Sequence, residues 1–433
     1  MKVCVYGLWH LGCVTAACLA DRGHEVTGLD PDEDVVARLN AGKAPLFEPG
    51  LDELLQHGLS TGRLRFAADA AAAVRDCAVL WVAFDTPVND QDEADTEYVS
   101  GKVRALLPLL PAGALVLVSS QMPVGSVARL EAAAREAAPG RGLRFACSPE
   151  NLRLGQAIKV FTQPDRIIVG CRTPADRATL LELLGAVTDR IEWMGVESAE
   201  MTKHAINSFL ALSVCFINEI ATLCEKYGAD AAEVSRGLKT EARIGPKAYL
   251  SPGGAFAGGT LARDVSFLTH LGQNADVALR LIPSIRASND AHRSWALRRL
   301  QDLWRGALRG KIVAVWGLTY KPGTDTLRRS SSVELCRQLH AAGAVVQAFD
   351  PAVSALPSDL ASVIRLAESA EAALCGAQAL VVATPWPAFR DVPAPVVAAA
   401  MDHGYVLDAD RFLAKQLAQE TAFKYLTVGS PLA

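Results

Sequence analysis

The sequence predicts an α/β protein with two doubly wound parallel-sheet domains joined by a long central helix. Short apolar strands alternate with helical segments at both ends of the chain, as a mainly parallel sheet with crossover helices requires. A helical stretch without glycine or proline, residues 198–227, separates these two regions. The length of 433 residues exceeds what one ordinary core needs.

The N-terminal region begins with an apolar strand at residues 2–6, and a glycine-containing turn leads into a predicted helix, residues 13–21. A second strand, residues 25–29, ends on Asp30. Further strand-like runs, separated by Ala- and Leu-rich helical segments, lie at residues 79–84, 114–119, 143–147 and 166–169. We therefore interpret residues 1–197 as one domain with a mainly parallel sheet.

The central region, residues 198–300, is predicted to be mainly helical, with a glycine-rich interruption at residues 251–259. Its long first helix can carry a large apolar face, as a helix that connects domains or forms a dimer does. The most apolar part, residues 209–217, is too short to span a bilayer. We expect a buried helix and no membrane partner, because this part is flanked by Lys203, Asn207, Asn218 and Glu219.

The alternation restarts in the C-terminal region, residues 301–433. A strand at residues 311–316 leads to Gly317, and a helix follows at residues 331–342. The next strands are predicted at residues 345–349, which end on Asp350, and at residues 379–383. Both ends of the chain thus follow one plan of strand, glycine, helix, strand and aspartate. This plan predicts a second domain of the dinucleotide-binding type.

The composition argues against several classes of function. The 43 basic and 47 acidic residues leave a formal net charge of -4 without a basic cluster, so nucleic acid is not an expected partner. The ten cysteines show no CxxC spacing and no Cys/His cluster, so no metal site is expected. Several lie in apolar runs and are interpreted as reduced, buried thiols, which favours a cytoplasmic location. The chain starts on a strand and lacks the layout of a signal peptide.

The segment Gly7-Leu8-Trp9-His10-Leu11-Gly12 lies where a dinucleotide-binding fingerprint is expected, after the first strand and at the start of a helix. Asp30 stands at the distance expected for an acid that binds the adenosine ribose, and its charge favours NAD over NADP. The helix N-terminus would offer N–H groups and partial positive charge to the pyrophosphate. We therefore predict an NAD site in a Rossmann-like domain, formed by Gly7, Trp9, Leu11, Gly12 and Asp30.

One position departs from the fingerprint. Trp9 replaces the second glycine, which normally lets the backbone approach the pyrophosphate. The indole must point away from the dinucleotide or displace it. The alternative is a Rossmann-shaped domain that no longer binds a cofactor; NAD binding is preferred because strand, turn, helix and acid agree. His10 is expected to pack beside the turn, and neither it nor His204 is assigned a role.

The chain resembles the UDP-glucose/GDP-mannose dehydrogenase family over nearly its whole length. The matching N-terminal segments are residues 16–30 (AACLADRGHEVTGLD), 46–55 (LFEPGLDELL), the Thr86-Pro87 turn, 123–126 (PVGS), 148–155 (SPENLRLG) and 165–170 (DRIIVG). The others are residues 203–220 (KHAINSFLALSVCFINEI), 242–245 (ARIG), 317–330 (GLTYKPGTDTLRRS), 349–351 (FDP) and 384–390 (TPWPAFR). So many matches in the same order make the resemblance specific.

That family uses NAD to oxidise a primary alcohol of a nucleotide-linked sugar to a carboxylate. The resemblance implies that residues 1–197 bind NAD and that residues 301–433 bind the nucleotide or nucleotide sugar. It implies that the long helix within the central region, residues 198–300, forms the core of a homodimer. It also places three further residues in the cofactor site, namely Thr86, Pro87 and Gln121, the last standing where the family has threonine.

The resemblance implies catalytic roles for Lys203, Asn207, Glu150 and Asp264. Lys203 and Asn207 stand at positions i and i+4 of one helix, which independently places them on one face. Lys203 would stabilise a developing alkoxide, and Asn207 would donate a hydrogen bond to the same oxygen. Glu150 matches the glutamate of the family's catalytic loop, and Asp264 matches the aspartate that orients water. Without the resemblance, a solvated helix lysine and ordinary loop carboxylates would be the simpler interpretation.

The main departure from the family lies in the glycine-rich loop. The family motif G-F-G-G-x-C-F-P-K-D carries a cysteine that attacks the intermediate aldehyde, and the aligned residues 255–264 are AFAGGTLARD. Thr260 takes the place of that cysteine. A thiolate forms near neutral pH and gives a thiohemiacetal that can be oxidised further, whereas a threonine hydroxyl needs a strong adjacent base. The first oxidation needs no thiol, so a two-electron reaction is still available.

Other departures affect the substrate side more than the scaffold. Asn151 follows Glu150 where the family has phenylalanine, and the paired Asp-Asp of the nucleotide loop has become Asp325-Thr326. The residues expected to contact the substrate are Asn151, Leu152, Arg153, Arg243, Tyr249, Gly258, Lys321 and Arg328. Among them, Lys321 and Arg328 would neutralise the phosphates.

The preferred hypothesis is an NAD-dependent oxidoreductase of polysaccharide or natural-product biosynthesis. It would oxidise a nucleotide-linked sugar, or a similar phosphorylated alcohol, by two electrons to an aldehyde or ketone. Complete oxidation through a bound aldehyde hydrate is the fallback. A non-catalytic nucleotide-sugar-binding protein would explain Trp9 and Thr260, but not the retention of Lys203, Asn207 and Asp264. An acid-forming UDP-glucose 6-dehydrogenase with another nucleophile is the remaining alternative.

Overall fold

The computed structural model describes residues 1–89, 94–257, 259–401 and 404–431. The chain forms two compact units, residues 1–206 and 207–433. Each unit contains an α/β sheet, and one continuous helix, α9 (Val196–Tyr227), passes from the first unit into the second. The predicted fold class is therefore confirmed. The three-domain division at residues 197 and 300 stays a prediction.

The sheet of the first unit has eight strands in the described chain, in the order β3-β2-β1-β4-β5-β6-β7-β8. The strands are β1 (Lys2–Tyr6), β2 (Glu25–Leu29), β3 (Leu64–Ala67), β4 (Val79–Val82), β5 (Leu115–Val118), β6 (Arg144–Cys147), β7 (Ile167–Cys171) and β8 (Ile191–Met194). Neighbouring strands are parallel, except that β7 is antiparallel to β6. The order from β3 to β6 brings the carboxyl ends of β1 and β4 together where the winding reverses, which is where such sheets bind ligands.

Helices cover both faces of this sheet. They are α1 (His10–Asp21), α2 (Glu33–Asn40), α3 (Leu51–Ser60), α4 (Ala70–Val74), α5 (Thr96–Leu106), α6 (Ser126–Ala137), α7 (Ala157–Thr162) and α8 (Pro174–Leu184), with a short 3-10 helix at Leu107–Leu109. Because successive strand residues point to opposite faces, β1 contributes Val3 and Val5 to one apolar core and Cys4 and Tyr6 to another. Burial on both faces explains why the central strands β4 and β5 are wholly apolar.

The second unit repeats this plan on a smaller scale. Its parallel sheet has the order β11-β10-β9-β12-β13-β14. The strands are β9 (Ile312–Trp316), β10 (Val345–Phe349), β11 (Ile364–Leu366), β12 (Ala379–Val382), β13 (Tyr405–Asp408) and β14 (Lys424–Leu426). The helices are α10 (Ala231–Thr240), α11 (Thr260–Asn274), α12 (Leu281–Arg293), α13 (Trp295–Leu303), α14 (Ser331–Ala341), α15 (Ser358–Ala361), α16 (Ala370–Ala373), α17 (Ala394–Ala400) and α18 (Ala414–Leu417), with a 3-10 helix at Pro387–Asp391.

The aspartate that ends β10 is bound entirely within its own unit. Oδ2 of Asp350 accepts hydrogen bonds from Leu318 N at 2.7 Å, from Thr319 N and Oγ1, both at 2.9 Å, and from Trp386 Nε1 at 3.0 Å. Oδ1 accepts one from Ala352 N at 2.9 Å. The residue is 1% exposed. Asp350 therefore holds the turn after β9 in place.

The structure corrects the sequence prediction in three places. Helix α1 begins three residues before the predicted start at Cys13. Five short strands were not predicted, namely β3, β8, β11, β13 and β14. The apolar part of α9 was expected to be buried, but Phe209 is 67% and Phe216 46% exposed in the single chain. Among the described helices, α9 is the one whose length and composition would suffice to cross a membrane, and 44% of its most apolar part is buried inside the chain.

Candidate active site

The turn after β1 has a close-packed backbone. Gly7 has φ +97°, and a Cβ there would lie 2.7 Å from Cγ of Phe84. A Cβ at Gly12 would lie 1.8 Å from the carbonyl oxygen of Gly7. Neither position can take a side chain, so α1 starts directly against the turn. The side chain of Leu11, also predicted in the cofactor site, is buried in the core, so a ligand could meet its backbone only.

Asp30 ties this turn to the end of β2. Its Oδ2 accepts a hydrogen bond from Leu8 N at 2.9 Å, and its Oδ1 accepts one from Asp32 N at 3.0 Å. The residue is half-buried rather than enclosed. A carboxylate in this position can still accept hydrogen bonds from ribose hydroxyls, as NAD requires.

Trp9 is the N-cap residue of α1, and its side chain is 49% exposed. Its φ of −99° is ordinary for any residue, so the tryptophan causes no backbone strain here. The indole therefore lies at the surface of the unit and not in its core. The turn, the start of α1 and Asp30 together fit a dinucleotide, with Trp9 at its edge.

Two neighbouring strands contribute further predicted cofactor residues. Thr86 follows β4 and donates a hydrogen bond from Oγ1 to the carbonyl oxygen of Gln121, which follows β5, at 2.8 Å. Thr86 is buried and Pro87 exposed. Since the parallel strands β2, β1, β4 and β5 are adjacent, their carboxyl ends bring these residues to the same edge as the glycine turn.

The loop between β6 and α7, residues 148–156, is called the Glu150 loop below. Nζ of Lys203, on α9, donates hydrogen bonds to the carbonyl oxygen of Glu150 at 2.6 Å and to Oδ1 of Asn151 at 3.2 Å. Leu152 N donates to Oε2 of Glu150 at 2.5 Å. Lys203 is 8% exposed, whereas Asn151 and Arg153 are exposed. The first unit thus brings together Lys203 and the loop residues that the sequence assigned to catalysis and substrate binding.

The second unit brings together Asn207 and Asp264. Nδ2 of Asn207 donates to Oδ2 of Asp264 at 2.5 Å. Asp264 is 0% and Asn207 6% exposed. A fully buried carboxylate needs such a donor, because desolvating it without a partner is costly. Thr260, one turn before Asp264, is the exposed first residue of α11.

The glycine-rich loop before α11 is held by buried polar side chains that the sequence reasoning missed as site residues. Gly253 N donates to Oδ1 of Asn218 at 3.1 Å, and Nε2 of His292 bonds to the Gly253 carbonyl at 2.9 Å. Phe256 exchanges two hydrogen bonds with the amide of Asn289, both at 2.9 Å. Burial lowers the pKa of His292 to about 4, so the imidazole is neutral near pH 7. Only the position of Asn218 inside an apolar helical run offered a sequence signal.

The remaining predicted substrate residues are exposed in the second unit. Lys321 and Arg328 lie in the loop after β9, whose base is closed by a hydrogen bond from Ser330 Oγ to the Leu318 carbonyl at 2.6 Å. A Cβ at Gly259 would lie 3.7 Å from the hydroxyl of Tyr320 in that loop, so it approaches the start of α11.

Arg243 and Tyr249 are also exposed. Nε of Arg243 bonds to Oε1 of Glu241 at 2.9 Å, and this bond lowers the pKa of that glutamate. The aromatic side chain of Tyr249 is 58% exposed. Gly258 lies outside the described residues.

The two thiols of α9 are buried, which disfavours either of them as a replacement for the cysteine of the family motif. Cys215 is 5% exposed and donates from Sγ to the carbonyl oxygen of Ile285 at 3.3 Å, and burial raises its pKa. Cys224 is likewise buried, and burial raises its pKa as well. A raised pKa leaves little thiolate for nucleophilic attack. Among the described residues, no group of three or more His, Cys, Asp or Glu side chains could hold a metal ion.

Known proteins resemble this chain over nearly its whole length. Three sequence models of the UDP-glucose/GDP-mannose dehydrogenase family match it: the NAD binding domain over residues 1–187, the central domain over 197–291 and the UDP binding domain over 314–415. The chain is 33% identical to a UDP-glucose 6-dehydrogenase of Pseudomonas aeruginosa over 446 aligned residues, which cover 100% of this chain and 98% of that protein.

It is also 33% identical to a UDP-glucose 6-dehydrogenase of Rhizobium meliloti, with 100% of both chains covered. Among solved structures, a UDP-glucose dehydrogenase from Pyrobaculum islandicum superimposes with a TM-score of 0.82 at 31% identity, covering 99% of this chain and 98% of that one.

Proposed function

Since the chain belongs to the UDP-glucose/GDP-mannose dehydrogenase family, and is an NAD-dependent dehydrogenase of CH–OH groups, we propose that it oxidises a nucleotide-linked sugar by two electrons. The alcohol loses a hydride, which NAD would accept when it is bound, and a proton, which passes to water, and the product is an aldehyde or ketone. The observation that carries this proposal is Thr260, which stands where the family motif has its nucleophilic cysteine.

The cofactor is NAD, which supplies the two-electron oxidant when it is bound. We assign its pyrophosphate to the N-terminus of α1 and its adenosine ribose to Asp30. Thr86, Pro87 and Gln121 complete this assignment at the ends of β4 and β5. Their common edge of the sheet supports the proposal.

Lys203 and Asn207 act on the alcohol oxygen in this proposal. They stand one turn apart on the continuous helix α9. The ammonium group of Lys203 neutralises the charge that develops on the oxygen, and the amide of Asn207 donates a hydrogen bond to it. Asp264 accepts a hydrogen bond from that amide and so holds it in place. Glu150 and Asp264 together orient water and transfer protons during the reaction.

Thr260 stops the reaction after the first oxidation. Continuing to the acid by the covalent route requires a nucleophile that adds to the aldehyde, and an alcohol is a far weaker acid than a thiol. Thr260 is exposed at the start of α11, and among the described contacts no basic group bonds to its hydroxyl. Both observations support this proposal, because an alcohol needs an adjacent base to become a nucleophile.

The nucleotide is assigned to the second unit. Lys321 and Arg328 neutralise its phosphates, and Arg243 and Tyr249 help to hold it. Asn151, Leu152, Arg153 and Gly258 are assigned to the sugar side. The exposure of Lys321, Arg328, Arg243 and Tyr249 leaves these groups accessible to a substrate.

We assign the exposed face of α9 to a homodimer contact in the cytoplasm. The side chains of Phe209, Phe216 and Leu223, spaced seven residues apart, are 67%, 46% and 55% exposed, and Tyr227 is 86% exposed. Apolar residues at this spacing form one stripe along a helix, which a second copy would cover.

A non-catalytic nucleotide-sugar-binding protein is the second candidate. The exposed indole of Trp9 at the dinucleotide turn favours it. The buried pair of Asn207 and Asp264 argues against it, since a protein that only binds needs no such pair beside Thr260.

The deciding experiment measures NADH formed per substrate consumed, with purified protein, NAD and a panel of UDP-, GDP- and other nucleotide sugars. We expect a ratio of one for the wild type. The variant Thr260→Cys should raise the ratio toward two, because its thiol can form the thiohemiacetal. Thr260→Ser is the matched control and should stay at one.

A ratio of two in the wild type would overturn the two-electron proposal and support complete oxidation through the aldehyde hydrate or another nucleophile. If no sugar yields NADH although NAD binds, the protein belongs to the binding class.

A further inference from the structure

A buried carboxylate outside the predicted site connects two parts of it within the first unit. Glu48 lies between α2 and α3, in the segment 46–55, and is 4% exposed. Its Oε2 accepts hydrogen bonds from His10 Nε2 at 2.9 Å and from Gly155 N at 2.7 Å. Its Oε1 accepts one from Ala157 N at 2.8 Å. One carboxylate thus joins its own segment to two others, the turn after β1 and the end of the Glu150 loop.

The first of these segments is the dinucleotide turn. His10 directly follows Trp9 and is the first residue of α1, where the pyrophosphate is assigned. The side chain of His10 is 13% exposed, and that of Glu48 is 1% exposed. This hydrogen bond is therefore shielded from water, and it depends on the position of the first turn of α1.

The other end of the connection is the Glu150 loop. Gly155 belongs to that loop, and Ala157 is the first residue of α7. Gln156, the N-cap residue of α7, makes no side-chain cap hydrogen bond. Glu48 supplies the missing acceptor from outside and so holds the loop at its C-terminal end, while Lys203 holds its N-terminal part.

The energetics make this connection sensitive to position. Burial by itself raises the pKa of Glu48, but the hydrogen bonds from His10, Gly155 and Ala157 outweigh it and lower the pKa. The group is therefore charged near neutral pH. A buried charge that loses one donor is left unsatisfied, which costs more than an ordinary hydrogen bond gains. A movement of α1 would consequently change the hydrogen bonds that Glu48 makes with the Glu150 loop.

We propose that Glu48 is a positioning residue that couples occupation of the dinucleotide turn to ordering of the Glu150 loop, through His10. If the N-terminus of α1 holds a dinucleotide, His10 would be held in place, and its imidazole would in turn hold the carboxylate and the amides of Gly155 and Ala157. The coupling rests on the proposed function in one respect only, namely that the Glu150 loop is assigned to the substrate. It operates with NAD alone.

The test is hydrogen–deuterium exchange of peptides covering residues 150–160, with and without saturating NAD. In the wild type, NAD should slow exchange there by about fivefold or more, the lower end of usual coupling between sites. His10→Phe removes the donor but keeps a ring. It should abolish this NAD-dependent slowing and, by reciprocity, weaken NAD binding by a similar factor, as measured by calorimetry.

His10→Gln is the rescue variant, since its amide can donate from nearly the same position as Nε2. It should restore both the slowing and the affinity. A role that is merely structural would raise exchange equally with and without NAD. The proposal is overturned if NAD leaves wild-type exchange unchanged, or if His10→Phe keeps the NAD-dependent slowing. Absence of NADH with every sugar, alongside intact slowing, would instead overturn the proposed function.

Discussion

Trp9 shows how much depends on a single side chain at the dinucleotide turn. The two glycines suit the close approach of a pyrophosphate, and Asp30 suits the adenosine ribose of the same dinucleotide. An indole at this position adds bulk beside the N–H groups of α1 but does not strain them. NAD affinity should therefore be limited by this residue.

Replacing Trp9 with glycine should tighten NAD binding by about tenfold, because the backbone can then approach the pyrophosphate as in other dinucleotide turns. The dissociation constant is measured by calorimetry. Folding should change little, since glycine is tolerated at an N-cap and the indole is half exposed.

Trp9→Ala serves as the graded control for that measurement. It removes the indole but keeps a Cβ, so its affinity should lie between those of the wild type and Trp9→Gly. Weaker binding in both variants would contradict the prediction and would mean that the indole contacts NAD favourably.

For Lys203, the sequence predicts the helix face and the role but not the hydrogen-bond partners. Its helix face followed from the spacing to Asn207 and its role from the resemblance. Its partners in the Glu150 loop lie 52 and 53 residues away in sequence, so periodicity carries no information about them. The same holds for Glu48, whose motif was noticed but whose contacts with Gly155 and Ala157 span 107 and 109 residues.

Among the structural elements, the glycine-rich loop before α11 is held by side chains of neighbouring helices. Gly253 and Phe256 are fixed by side chains of α9 and α12 and not by regular backbone pairing. Burial lowers the pKa of His292 to about 4, so the buried imidazole is neutral near pH 7. Acidification should therefore loosen this loop.

Stability should fall as the pH is lowered from about 6.5 to about 4, because unfolded His292 takes up a proton near the ordinary histidine pKa of 6.5 and folded His292 only near a pKa of about 4. Its contribution is complete above pH 6.5 and is lost as the pH falls through that window. The difference corresponds to about 3 kcal/mol in the free energy of unfolding.

His292→Gln keeps a donor for the Gly253 carbonyl but cannot titrate, so denaturant unfolding across pH 4–7 should show a shallower loss for this variant. The matched control is His270→Gln on the exposed side of α11, which should follow the wild type. Equal pH dependence in all three proteins would refute the assignment to His292.

Elements were predictable where the chain is long and strongly patterned. Strands β1 and β2 and helix α14 were placed within a residue at each end, because apolar runs and glycine punctuation are clear there. The missed strands are three or four residues long, and β11 and β14 each have one charged residue among their three residues. Such segments become strands through pairing with a neighbour, which local pattern does not report.

At the scale of the whole molecule, the exposed stripe on α9 should decide the oligomeric state. Phe216→Asp places a charge in the middle of the stripe and should weaken self-association by at least about tenfold, measured by sedimentation equilibrium. The cause is the desolvation of an unpaired carboxylate in an apolar contact.

Leu181→Asp is the control for this variant. Leu181 lies on α8 and is 52% exposed, so it presents a comparable apolar side chain on the other unit. The control should associate like the wild type. Dissociation caused equally by both variants, or a wild type that is monomeric, would rule out the stripe as the contact.

The sequence alone predicted the doubly wound architecture, the connecting helix and the dinucleotide turn, since each depends on local pattern or on a motif. It did not predict how the site residues are held. The contacts of Asn218, Asn289 and His292 with the glycine-rich loop depend on packing of distant helices, and such packing leaves no periodic signal in the chain.

The enclosure of Asp350 has a consequence for cofactor stoichiometry. This carboxylate repeats the main-chain contacts of Asp30, but the indole of Trp386 and the hydroxyl of Thr319 occupy the oxygen that a ribose would otherwise engage. A titration should thus saturate at one NAD for each chain, although two sheets share the same winding. Asp350 thus stabilises the fold of its own unit, whereas the half-buried Asp30 keeps a side that a ligand could reach.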